Sequence, residues 1–316
     1  MIYVEMYGRL GNQMFRYAMA RALQIKFYNE DSIVINFNNL SGKQFNDGSF
    51  TNELSNFNVE QFEIYETKGK LLKNETTFRQ KLIYFLVRLY LPKYNPQKML
   101  KIEKKLRKIS GLMNRFGIYW SWVGYQKPIE SKKKDKFVSG NFESPQYFDD
   151  IKSLLIKEFT PKNPVNPRNL ELLNIIENNE SVCISVRRGD FVKDKKISKT
   201  HNVINAQYFE DSISYMNSIL KDPVYIIFSD DIEWAKENIN FGKYKVYSEY
   251  GNDEVYEKLR LMYSCKHFII SNSTFSWWAQ YLGRNKEKIV ISPERWFNND
   301  YNSSLLRESF IKISCS

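Results

Sequence analysis

Between Ser181 and Pro293 the chain alternates short β-rich runs with amphipathic helical stretches, and few folds accept that rhythm. "SVCISV" precedes "NAQYFEDSISYMNSILK", "VYIIFS" precedes "IEWAKENI", and "KYKVYS" precedes "DEVYEKLRLMYSC". "HFIIS" then precedes "TFSWWAQYLG", and "KIVIS" closes the series. Apolar runs this short, joined through helices, predict βαβ units and a parallel sheet covered on both faces. The expectation is a Rossmann-type domain. The chain opens the same way: strand "IYVEMYG", glycine-punctuated turn "GRLGNQ", helix "NQMFRYAMARALQIKFYN" and strand "SIVINF". From there to residue 136 the pattern is less regular and reads as mostly helical. "TPKNPVNPR", Thr160–Arg168, places three prolines where neither helix nor central strand can run, which marks a boundary. We expect two α/β domains, 1–160 and 161–316, facing each other across a cleft.

Charge narrows the class of partner. The net charge of +11 is concentrated in residues 68–136, which hold 19 Lys and Arg against four acids. The remaining residues hold 28 bases and 32 acids. In "FRQKLIYFLVRLYLPKYNPQKMLKIEKKLRKIS" the bases alternate with Leu, Ile, Tyr and Phe, as in a pair of amphipathic helices broken at Pro92 and Pro96. Two readings fit: a solvated basic face over a small core, or a surface that meets an anionic membrane or substrate. No zinc-finger, helix-turn-helix or RNP pattern is present, so nucleic acid is not the expected partner. No run reaches the roughly 20 apolar residues of a membrane span, and the N-terminus shows no signal-peptide pattern. Cys183, Cys265 and Cys315 are odd in number and widely spaced, which suits a reducing compartment and buried thiols. The expectation is a cytoplasmic protein, peripheral at most to the inner face of a membrane.

Candidate site residues fall at the ends of the expected strands, where open parallel sheets bind ligands. Arg187 and Arg188 end "SVCISVRRGD", with Ser185 and Arg187 on one face of the strand and Arg188 on the other. A guanidinium there can grip phosphate through two parallel N–H bonds. Arg187 is read as the phosphate ligand and Arg188, with Asp190, as scaffold; an Arg–Asp190 pair that only pins the loop is the competing reading. In "SNSTFSWW" the hydroxyls of Ser271, Ser273, Thr274 and Ser276, with Asn272, crowd a helix start, where unpaired N–H groups favour an anion. Ordinary N-capping needs only one of them. Trp277 and Trp278 read as core. Of Asp230 and Asp231, one caps the next helix, and the other can accept from a guanine edge or a ribose. A divalent cation is the weaker alternative, because spacing supplies no third ligand. "YGRLGNQ" brings Gly8 and Gly11 with the donors Arg9, Asn12 and Gln13 to another helix start, without the Walker A pattern.

Taken together, "GRLGNQMFRYAMARAL", "GNFESPQYFDDI", "VRRGDF", "FSDDIEWAKENI" and "SNSTFSWWAQYL" resemble the α-1,2-fucosyltransferases of glycosyltransferase family 11, in the family's order and over nearly the whole chain. The resemblance implies a GT-B-like fold. It implies a GDP-β-L-fucose donor, bound by the 161–316 domain, and inverting transfer to a galactoside 2-hydroxyl without a metal or other cofactor. By the same resemblance Arg187 holds the β-phosphate, Asp230 reads guanine, and Ser273, Thr274, Phe275 and Ser276 complete the diphosphate site. The 1–160 domain would then face the acceptor, with 68–136 as a basic helical insert. Ser185 stands where the family motif has His, and Asn141, Phe142 and Glu143 stand where an aromatic pair and Gln are common. Inversion needs a base for the attacking hydroxyl, and Asp190 and Glu143 are the candidates. The expected acceptor is a galactose-containing glycan, lipid-linked in bacterial surface polysaccharide or O-antigen synthesis. The reading from another class is a non-catalytic nucleotide-sugar-binding partner protein that uses the basic segment for contact.

Overall fold

Strand β1 (Ile2–Glu5) buries Ile2, Val4 and even Glu5, as a strand covered on both faces must. It opens the first of two compact units, Met1–Phe159 and Thr160–Ser316, in a computed structural model that describes residues 1–40, 44–45, 48–49, 51–92, 95–201 and 203–315. Among these residues the first unit also has β2 (Ile33–Asn36), a hairpin of β3 (Gln44–Phe45) and β4 (Gly48–Ser49), β5 (Glu63–Ile64), β6 (Ile118–Ser121) and β7 (Lys136–Gly140). The main sheet runs β5–β2–β1–β7–β6 with every neighbour parallel. In register, Ile2 faces Ile33 on one side and Lys136 on the other. Helix α1 (Leu10–Phe27) follows β1, and α2 (Leu71–Asn74), α3 (Phe78–Tyr90), α4 (Met99–Arg115) and α5 (Lys152–Glu158) come later.

Residues 68–136 are thus not wholly helical. The pair α3 and α4 matches the amphipathic expectation and breaks between Tyr90 and Met99, but "IYWS" in the same segment is β6. Four residues, three of them apolar, are too few for periodicity to separate strand from helix. β7 is the next strand, after residues 122–135, and takes the place beside β1.

One ion-pair network ties α1 to α5. Glu158 accepts from the Tyr17 hydroxyl at 2.7 Å and from Arg21 Nε at 2.8 Å, while Arg21 also reaches Glu60 at 2.9 Å. Both Arg21 and Glu158 are buried, so a lost partner leaves a desolvated charge. Glu158→Gln is expected to destabilise the protein by about 2 kcal/mol. Urea unfolding of the variant checks this, and an unchanged midpoint would show that Gln24 and Glu60 satisfy Arg21 without Glu158.

The second unit holds β8 (Ser181–Val186), β9 (Val224–Ser229), β10 (Val246–Ser248), β11 (His267–Ile269), β12 (Val290–Pro293) and β13 (Ile311–Ile313). Its helices are α6 (Leu170–Asn178), α7 (Gly189–Lys193), α8 (Lys195–His201), α9 (Ala206–Ile219), α10 (Ile232–Asn238), α11 (Val255–Ser264) and α12 (Thr274–Leu282). The sheet order is β10–β9–β8–β11–β12–β13, again parallel throughout. The alternation read from the sequence is present, and β13 extends it by one strand. That strand, "IKI", is too short and too polar to announce itself. Val182, Ile184, Tyr225, Ile227, Ile269 and Ile291 pack with α9 in the core. Cys183, Cys265 and Cys315 are buried thiols without a disulfide. Two parallel-sheet α/β units make the architecture GT-B-like. Among the described residues no helix is long and apolar enough to cross a membrane.

Candidate active site

In the second unit the chain lays β8, β9 and β10 toward one edge, then returns to place β11, β12 and β13 on the other side of β8. The order therefore reverses between β8 and β11, and the carboxyl ends at such a reversal are where an open parallel sheet takes its ligand. Three loops reach that edge: Arg187–Arg188 after β8, Asp230–Asp231 after β9, and Ser271–Ser273 after β11.

The two arginines are clasped by the two aspartates. Arg187 Nη1 lies 2.6 Å from Asp230 Oδ2, and the Arg188 backbone N–H donates to Asp230 Oδ1 at 2.9 Å. Both oxygens of Asp230 therefore serve the arginine pair. Arg188 Nε reaches Asp231 Oδ2 at 3.3 Å, and its guanidinium sits 3.7 Å above the Trp234 ring. Asp231 is the helix cap, accepting from Trp234 N at the start of α10. Its own N–H donates to Ser229 Oγ at 2.9 Å. The clasp needs Gly189, because a Cβ there would run into Asp230 Oδ2. Asp190 lies in α7, and its side chain lies outside the described residues.

The hydroxyls divide into two sets. Ser185 Oγ and Ser276 Oγ are 2.6 Å apart, Ser276 and Ser271 are 3.1 Å apart, and all three side chains are buried. They form a hydroxyl chain inside the unit that ties β8 to α12. Ser273 and Thr274 stay half-buried at the start of α12, with Phe275 beside them. Ser273 is the cap residue by backbone, yet its side chain makes no capping hydrogen bond. Asn272 is architectural: its Nδ2 donates to the carbonyls of His201 and Trp296, each at 2.9 Å. Trp277 and Trp278 are fully buried, as core.

The first unit has its own reversal, between β1 and β7. Two segments follow the carboxyl ends of those strands: Gly8–Gln13 and Asn141–Glu143. α1 begins at Leu10, so Gly11, Asn12 and Gln13 fall in its first turn and Arg9 is its cap residue. Gln13 is fully buried and braces the chain, donating to the carbonyls of Gly8 and Thr51 and accepting from Glu53 N. Asn12 is half-buried against Gly8, whose φ of 74° suits glycine.

Arg16, one turn further along α1, is the residue that sequence reasoning missed. Its guanidinium is buried, donating to the Glu5 carbonyl at 3.1 Å and to Asn141 Oδ1 at 3.0 Å, and lying 4.6 Å from the centre of the Tyr7 ring. Burial lowers it to about 10. Its charge also acts on Glu143. Burial pushes that carboxyl from its ordinary 4.5 up to about 7, with Arg16 pulling the other way. Between Asn141 and Glu143, buried Phe142 is held at φ 54°, a left-handed conformation that costs a non-glycine residue about 1 kcal/mol or more. The spacing of Asn12 and Arg16 on one helix face was the available signal for Arg16. For Trp234 it was the ring three residues beyond the Asp231 cap.

The family model for glycosyl transferase family 11 matches residues 1–314. The O-antigen biosynthesis glycosyltransferase WbnK of Escherichia coli is 28% identical, over 97% of this chain and 98% of its own. An α-1,2-colitosyltransferase of Escherichia coli is also 28% identical, over 93% of this chain and 91% of its own. Among solved structures, the α-1,6-fucosyltransferase NodZ, crystallised with GDP, superposes with a TM-score of 0.52 at 10% identity, covering 88% of this chain and 91% of its own. With a match from end to end and two parallel-sheet units carrying the motifs at their switch points, the chain belongs to glycosyl transferase family 11.

Proposed function

We propose that the enzyme moves L-fucose from GDP-β-L-fucose to the 2-hydroxyl of a galactoside, with inversion, in the assembly of a bacterial O-antigen. The observation that carries the reading is the arginine pair at the β8–β11 switch point, next in the sheet to the hydroxyl-lined start of α12. Breaking the fucosyl bond leaves negative charge on the diphosphate. Arg187 offers a planar fork to that charge, while Asp230 orients the guanidinium as a positioning residue. Ser273, Thr274 and the free N–H groups of α12 add donors. Direct inversion needs no covalent intermediate, so beside these donors the protein must supply a base and no nucleophile of its own. Glu143 suits that role, since a carboxyl near 7 is half-ionised at neutral pH and can take a proton from the attacking hydroxyl.

A second donor has support of its own, because one relative is a colitosyltransferase across nearly its whole length. Colitose is L-fucose without the 3-hydroxyl. A site built to hydrogen-bond that hydroxyl would reject the deoxy sugar strongly, whereas an apolar one would accept both. Turnover of GDP-fucose and GDP-colitose against a panel of galactose-terminated oligosaccharides therefore tests the proposal. Faster transfer of fucose to a 2-hydroxyl supports it, and preference for colitose or another position overturns it. No turnover of any nucleotide sugar would leave the non-catalytic reading standing.

The same assay in EDTA is expected to show undiminished rates, because the arginines and the α12 terminus already supply positive field at the diphosphate. Asp230 and Asp231, the carboxylates best placed for a cation, are engaged with Arg187 and Arg188. Loss of activity in EDTA that Mn²⁺ restores would reassign them as metal ligands.

A further inference from the structure

Helix α3 buries one face and leaves a second apolar face in solvent. Gln80 and Val87 are buried and Ile83 and Tyr84 half-buried, as expected for a helix lying on a core. On the opposite side Phe78, Leu82, Phe85, Leu86 and Leu89 recur at helical spacing and span an arc of roughly 100°. Their exposure is 80% for Phe78, 68% for Leu89 and 58% for Phe85, with Leu82 and Leu86 close to half. Scattered exposed leucines need no explanation, but a continuous stripe of five large side chains does.

The charge around this stripe identifies what it meets. Arg79, Lys81 and Arg88 are exposed on its flanks. α4 is joined to α3 through Lys105, whose Nζ donates to the Tyr90 carbonyl at 2.6 Å and lies 4.2 Å from the centre of the Tyr90 ring. The solvent side of α4 carries Lys101, Lys104, Arg107 and Lys108, while its apolar residues Met99, Ile102, Leu106 and Met113 are buried. Between Phe78 and Lys108 there are ten bases and a single acid, Glu103, which is paired with Arg107. A protein partner for so apolar a stripe would not need this cationic surround. An interface of acyl chains beneath anionic headgroups matches both features at once.

We propose that α3 and α4 form a membrane-docking face, with the Phe78–Leu89 stripe entering the headgroup boundary of an anionic bilayer and the lysines and arginines meeting lipid phosphates. The proposal does not depend on which sugar is transferred. It is tested by co-sedimenting the full-length protein with phosphatidylglycerol-rich vesicles and with pure phosphatidylcholine vesicles, at low and high salt. The wild type is expected to favour the anionic vesicles by on the order of tenfold, and less at high salt. Phe85→Ser/Leu89→Ser and Lys104→Glu/Lys108→Glu should each lower that binding by on the order of tenfold. All four positions are exposed, so thermal unfolding should be unchanged and the variants remain interpretable. Recovery in the supernatant under every condition would overturn the proposal, as would wild-type binding by the Phe85→Ser/Leu89→Ser variant. A wild-type dimer that this variant converts to a monomer, without any vesicle binding by the wild type, would make the stripe a contact between two copies of the chain.

Discussion

Arg187→Lys is expected to lower kcat by about 10² to 10³, or roughly 3–4 kcal/mol of transition-state stabilisation, although the charge is kept. The reason is geometric. The guanidinium is held through Nη1 by Asp230 Oδ2 at 2.6 Å and flanked by the Phe191 ring, 5.7 Å from its centre. Held so, its planar fork is aimed before substrate arrives. An ammonium on a flexible stem makes one contact at a time and must be ordered during the reaction. Because charge on the diphosphate grows only as the sugar departs, the loss should fall on kcat more than on KM. Steady-state kinetics with a matched thermal midpoint checks this. A folded lysine variant with wild-type kcat/KM would remove Arg187 from the diphosphate site.

Glu143→Gln carries the other large effect, a fall in kcat of about 10² to 10⁴. A base must be ionised to work, so wild-type kcat/KM should rise with pH through an inflection near 7, the value to which burial pushes this carboxyl. The glutamine variant should lose that inflection and keep a small, flat residual rate. If the inflection survives in the variant, the base lies elsewhere, and Asp190 becomes the residue to replace. The shift has an opposite signature in stability. A carboxyl raised from 4.5 favours the folded state most at low pH, and that contribution is lost as pH rises through about 7. Activity and stability should therefore change in opposite directions over this window in the wild type. The stability change should vanish in Glu143→Gln.

The second unit was the more legible in sequence because its strands are buried on both faces and read as unbroken apolar runs, each followed at once by polar residues. Arg187, Asp230 and Ser273 could be placed at a ligand edge by that contrast alone. What the sequence could not reveal was the pairing. Asp230 meets Arg187 and Arg188 through the adjacency of β8 and β9, and nothing local to either segment specifies a neighbour in the sheet. Ser185 illustrates the same limit. It looked like a gap left by a missing histidine, and it is one member of a buried hydroxyl chain with Ser276 and Ser271. In the first unit, β6 was hidden inside a basic segment, because its four residues follow α4 with only Phe116 and Gly117 between. Arg16 was hidden because it stands among other polar residues of α1, and only its spacing from Asn12 hinted that it is buried against Glu5 and Asn141.

The position of β7 bears on how the chain must be made. It is the last strand of its sheet in sequence, yet it lies between β1 and β6, so β1 has an open edge until residues 136–140 have left the ribosome. α1 and β2 can fold against β1 well before that, but they cannot cover the edge on the β7 side. The nascent chain therefore carries a row of unpaired backbone groups through most of the synthesis of its first half. Protection comes with Gly140, where a Cβ would strike the Ser121 carbonyl and keep β6 and β7 from closing at their ends. Slowing translation before residues 136–140 have emerged would lengthen that exposure, whereas a pause once Phe159 has emerged would let the first unit close before the second follows.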